Sequence, residues 1–116
     1  MKKIYYLSNC STCSRIISEL DLKKKSFLFQ DVKTEKITAE QLKEMKKLAG
    51  SYEALFSKIA MKYRALGLDK AKLTEEDFKK YILEEYTFLK RPVIIINDTI
   101  FIGNSKSTVA AAKAEL

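Results

Sequence analysis

Four consecutive β-branched residues, Val93-Ile94-Ile95-Ile96, constrain this chain more than any other segment. A run with no polar alternation offers no face to water, so it reads as a central strand buried on both sides. Arg91-Pro92 marks where that strand begins, because a residue before proline avoids helical geometry. Asn97-Asp98 reads as a two-residue turn, with Thr99 to Ile102 as the return strand and Gly103 as its end. An alanine-rich helix over Ser105 to Glu115 closes the chain.

The N-terminal end carries a second pattern. Residues 3–7 read as a buried strand, residues 12–22 as a helix with Thr12 or Ser11 near its cap, and Phe27-Leu28-Phe29 as another strand. A strand–helix–strand unit of this length predicts parallel pairing. Between the two ends lie about sixty residues of helical pattern. Thr38-Ala39-Glu40-Gln41 is a capping box, followed by Leu42, Met45 and Leu48 at helical spacing and stopped by Gly50. Residues 52–66 read as a second helical stretch closed by Gly67, and Thr74-Glu75-Glu76-Asp77 starts a third, with Phe78, Tyr81, Ile82 and Leu83 facing inward. The order is β-α-β, helical block, β-β-α: an α/β fold with a central mixed sheet. The 116 residues suit one domain, 1–116, with a helical insertion over about 38–90.

Composition excludes several classes. No apolar run is long enough to cross a membrane, and Met1-Lys2-Lys3 is not followed by a secretory signal, so a cytoplasmic location is expected. There is no glycine-rich phosphate loop, the three glycines being Gly50, Gly67 and Gly103. The net charge of +7 fits an anionic partner or, as the favoured reading, a solvated lysine-rich surface. No aromatic-basic RNA-binding motif and no DNA-reading helix is visible, so direct nucleic-acid binding is not expected.

The two cysteines of the chain, Cys10 and Cys13, fall where the first strand hands over to the first helix. A helix N-terminus has free N–H groups and a positive dipole end, which favour the reactive thiolate. Cys10 would attack and Cys13, on the same face, would resolve the mixed intermediate. Arg15 adds positive charge to that end. With two cysteines and no histidine, a zinc site needs ligands from a second subunit or carboxylates, and a Cys-His catalytic pair is excluded. Zinc and incidental structural cysteines stand as alternatives to the favoured redox pair; no metal is expected. Arg91 is placed to hold an anion if the fold brings it to the thiolate, and Gly103-Asn104-Ser105 offers N–H donors at the last helix start.

These pieces together resemble a known family. The strand–Cys10-x-x-Cys13–helix start, Lys62-Tyr63-Arg64-Ala65-Leu66-Gly67-Leu68, Leu89-Lys90-Arg91-Pro92-Val93-Ile94-Ile95 and Phe101-Ile102-Gly103-Asn104 resemble the arsenate reductase (ArsC)/Spx/YffB family, in order and over essentially the whole chain. The resemblance implies a thioredoxin-like fold with a helical insertion. It implies that Pro92 is the structural cis-proline facing the cysteine, that Cys10 is the catalytic cysteine, and that Arg91 binds an oxyanion. Ser11, Thr12, Arg15 and Asn104 complete the expected anion contacts. The glutaredoxin-linked reductases use further arginines, and Ser57 and Asn104 stand at two of those places, with Lys58, Arg64 or Lys106 as stand-in cations. Cys13 instead matches the Cys-x-x-Cys of the Spx branch.

Two functions are therefore expected. The first is a thiol-dependent oxidoreductase in which Cys10 attacks an oxyanion or a disulfide and Cys13 or glutathione resolves the product. Glutathione would be a co-substrate rather than a bound cofactor, with glutaredoxin or a thioredoxin system as partner. The alternative is a redox-sensing regulator that binds RNA polymerase through a Cys10–Cys13 switch.

Overall fold

The computed structural model describes all 116 residues. Its chain packs as two compact units: residues 1–36 with 91–116, and residues 37–90.

The first unit is a four-stranded sheet carrying two helices. Its elements are β1 (Lys2–Tyr6), α1 (Ser11–Glu19), β2 (Leu28–Asp31), β3 (Val93–Ile96), β4 (Thr99–Ile102) and α5 (Lys106–Ala114), α2 to α4 belonging to the second unit. The strand order is β2-β1-β3-β4. β1 runs parallel to β2 and antiparallel to β3, and β3 and β4 form the expected hairpin. All four residues of β3 are buried, as its unbroken apolar run requires. Asn97 turns the hairpin at φ 56, a left-handed geometry that asparagine tolerates. Ile4, Ile94 and Ile96 of the sheet pack with Ile16, Ile17 and Leu20 on the α1 side and Val109 and Ala112 of α5. The small Ala112 lets α5 lie close to the strands.

Two expected boundaries move. The first helix spans 11–19 and not 12–22, because Asp21 takes a left-handed conformation and residues 22–24 form a separate 3₁₀ turn. The Lys25 ammonium donates to the Leu20 carbonyl, satisfying an acceptor that the helix end leaves free. The second strand is Leu28–Asp31, not 27–29, since parallel register with Lys3–Tyr6 decides its extent.

The second unit holds α2 (Ala39–Ala49), α3 (Met61–Ala65) and α4 (Glu75–Glu84). Thr38 and Thr74 both close full capping boxes, and Gly50 ends α2 at φ 96. Phe78 and Ile82 are buried on α4, whereas Tyr81 and Leu83 are half-buried. The helix expected over 52–66 is replaced by a 3₁₀ turn (Glu53–Leu55), an extended stretch and the short α3. Phe56 pairs with Leu89 in an antiparallel bridge, Ser57 N–H donates to the Phe88 carbonyl, and Lys90 N–H to that of Leu55. Rings from Phe78, Phe88 and Tyr63 gather on Phe56. This non-local pairing overrides the local helical preference. No helix is long and apolar enough to cross a membrane.

The central position of β1 sets a measurable contrast. Ile4 is fully buried while Leu28, on the paired edge strand, is 61% exposed. We expect Ile4→Ala to lower unfolding free energy by about 2–5 kcal/mol in urea titrations and Leu28→Ala by less than about 0.5 kcal/mol. Equal losses would contradict this placement of the core.

Candidate active site

Strand register assembles the site. Tyr5 of β1 lies opposite Val93 of β3, so the segment leaving β1 and the segment entering β3 meet at one edge of the sheet. The first contains Cys10; the second is Arg91-Pro92. Val93 also pairs with Ile102, and the Gly103 N–H donates to the Pro92 carbonyl, so α5 starts from the same edge. The Arg91–Pro92 peptide is cis, with Pro92 buried.

Cys10 occupies the N-cap position of α1, in extended geometry at φ −98 and ψ 115. Ser11 and Thr12, expected near the cap, follow it as the first two helical residues, Ser11 exposed and Thr12 half-buried. The Cys10 N–H donates to the Leu7 carbonyl and its carbonyl accepts from Ser14, which fixes the thiol at the mouth of the helix. Its side chain closes no capping hydrogen bond. The loop is tied from the other side by the Ser8 hydroxyl, which donates to the Asp31 carboxylate at the end of β2. That bond holds Asp31 below the usual carboxylate range. Neither residue was singled out from the sequence, although parallel pairing of β1 with β2 places the segments that follow them side by side.

The two thiols differ by environment. Cys10 is half-buried and Cys13 has no exposed surface. Partial burial pushes Cys10 up, but the Cys13 N–H, the Cys13 thiol, the Thr12 N–H and the charge of Arg91 outweigh it, and the thiol lies below its ordinary value. Burial pushes Cys13 up to about 11, helped by the sulfur and negative charge of Cys10 and opposed by the Leu7 backbone and Arg91. One thiol is prepared to ionise and its neighbour to stay protonated.

The remaining expected residues divide. Arg91 acts on both sulfurs from the segment that enters β3. Arg15 is exposed on α1, and the guanidinium whose charge lowers Cys10 is that of Arg91. Asn104 is exposed between β4 and α5, and Lys106 is the first residue of α5. In the helical unit, Ser57 is buried, Lys58 is paired with Glu53, and Arg64 is exposed. No three carboxylate, thiol or imidazole groups gather at a metal-binding distance.

The order of effects on Cys10 is testable. The pH midpoint of its alkylation is expected below the free value of about 8.5, the rate falling as the thiolate takes a proton at lower pH. Cys13→Ala should raise that midpoint more than Arg91→Ala, because the neighbouring thiol outranks the guanidinium. A larger rise in the arginine variant would reverse the assignment.

Comparison with known proteins follows this geometry. The model of the ArsC family matches residues 5–112. No functionally curated protein matches the chain in sequence. Among solved structures, a candidate arsenate reductase from Yersinia pestis is similar with a TM-score of 0.81 at 18% identity, covering 96% of this chain and 99% of its own. An arsenate reductase from Vibrio cholerae gives 0.80 at 18% identity over 95% of each chain. A protein described as YffB gives 0.79 at 23% identity, over 97% of this chain and 98% of its own. At these identities the likeness carries the fold alone, which is thioredoxin-like.

Proposed function

The chain belongs to the ArsC family, and from that premise we propose that it is a thiol-dependent oxidoreductase with Cys10 as nucleophile. The carrying observation is the unequal thiol pair: a half-exposed Cys10 with a lowered pKa against a buried Cys13 raised to about 11. The Cys10 thiolate, favoured by the lowered pKa, attacks an oxyanion or a disulfide sulfur. Arg91 faces the developing negative charge, and the N–H groups of the first α1 turn add to it. Arsenate enters as a substrate class through the family and the names of its relatives, and a disulfide through the chemistry of the pair.

The same pair times the second step. Part of what holds Cys13 protonated is the charge of the Cys10 thiolate. Once Cys10 is bonded to substrate that charge is gone, and Cys13 ionises more readily. Its attack on Cys10 then closes a short disulfide and releases the reduced product, a thiol from a mixed disulfide or arsenite from an arsenate adduct. Glutathione with glutaredoxin, or a thioredoxin system, returns the pair to the dithiol.

The test is turnover of arsenate and of a small disulfide, each coupled to a glutathione/glutaredoxin and to a thioredoxin system. We expect reduction of at least one substrate, its loss in Cys10→Ser, and a loss of about 10²-fold for an oxyanion in Arg91→Ala. No turnover in any combination, or equal turnover in Cys10→Ser, overturns the reading.

A second reading draws on the uncharged Ser57 and Asn104, where the arsenate-reducing branch has arginines. In it the Cys10–Cys13 pair is a switch that alters binding to RNA polymerase. Capture of polymerase in only one redox state would favour it over the enzyme; absence from both states removes it.

A further inference from the structure

The helix that presents Cys10 also forms one wall of a groove of about 460 Å³. Ser14 and Ser18 line it from α1, at four and eight residues beyond Cys10, so by helical periodicity the groove continues the line of the nucleophile. Its opposite wall is aromatic: Tyr6 of β1 and Phe29 of β2, packed edge to face at 5.7 Å between ring centres. Ser8, beside the cysteine loop, lies at the near end. Lys23 and Lys24 stand at the far end with Asp21, two cations against one carboxylate. Neither lysine is in an ion pair, the two pairs of the molecule being Lys58–Glu53 and Lys62–Glu85.

We infer that this groove receives the acidic arm of a disulfide substrate and selects carboxylate-bearing disulfides over neutral ones. The inference rests on the oxidoreductase reading and names its substrate class. Length supports it. From the Cys10 cap to Glu19 the helix runs about 13 Å at 1.5 Å per residue, the span of about four extended residues. A short peptide arm therefore lies along the aromatic wall with a carboxylate at the lysines and its sulfur toward Cys10. The hydroxyls of Ser14 and Ser18 are spaced to bond its backbone. A groove of this volume is of ordinary ligand-binding size.

The chemistry balances as a two-electron exchange. The Cys10 thiolate attacks one sulfur of R–S–S–R′, the disulfide bond breaks, and R′S⁻ leaves to take a proton from water. Cys13 loses its proton to solvent as its sulfur attacks Cys10, and RS⁻ leaves in turn. The cysteine pair is oxidised to a disulfide while the substrate is reduced to two thiols. An added dithiol such as dithiothreitol regenerates the pair.

The experiment compares oxidised glutathione, which carries carboxylates, with neutral hydroxyethyl disulfide. The readout is the ratio of their kcat/KM values in the wild type and in Lys23→Glu/Lys24→Glu, with folding checked by circular dichroism. We expect the wild-type ratio to exceed one and to fall about tenfold in the variant. A second arm measures equilibrium binding of oxidised glutathione to Cys10→Ser with and without the two lysine substitutions, independent of turnover. Weaker binding in the charge-reversed protein supports the groove even where neither disulfide is reduced, an outcome that would sink the oxidoreductase reading instead. An unchanged ratio, or binding that is absent or indifferent to the lysines, overturns the inference.

Discussion

The antiparallel pairing of β1 with β3 is the constraint on which the site depends. It joins residues nearly ninety positions apart, placing Tyr5 against Val93. Because β1 ends where β3 begins, one sheet edge collects the cysteine loop, Arg91, the cis peptide before Pro92, and, through the β3–β4 hairpin, the start of α5. A slip of one residue in this register would turn the buried isoleucines of β3 to the opposite face and separate Arg91 from the thiols. The hydrophobic core and the charge distribution of the site are thus set by the same ladder.

On that frame the chemistry comes from a division of labour by burial. Two identical side chains three residues apart meet different surroundings: one at the helix mouth among N–H donors, the other beneath it without solvent. Each alters its neighbour, the Cys13 thiol stabilising the Cys10 anion and that anion holding Cys13 protonated. The arginine favours the anion of either sulfur, so it reinforces the first effect, opposes the second and dominates neither. The polarity of the pair follows from its place in the fold more than from any single charged residue.

Much of this was legible in the chain. The hydrophobic run of β3, the two capping boxes, the hairpin and the strand-to-helix position of the cysteines are local signals, and local signals survive folding. The misreadings were non-local. The stretch from Phe56 to Ala60 carries a helical composition, yet Phe56 pairs with Leu89 and the helix starts only at Met61. Cap preferences located the helix start near Ser11 and Thr12 but not the cap itself, which is Cys10, a residue type that seldom caps a helix. The guanidinium that acts on Cys10 is distant in sequence, arriving from the segment that enters β3. The Ser8–Asp31 bond needed the β1–β2 register to be seen.

The inequality of the two thiols is the central claim, and site-resolved labelling tests it most directly. The reduced native protein is treated with a limiting amount of iodoacetamide at pH 7, and each cysteine is quantified by peptide mass spectrometry. Cys10 should carry nearly all the label, with Cys13 modified only after denaturation. Equal labelling of the two, or earlier labelling of Cys13, would contradict the account.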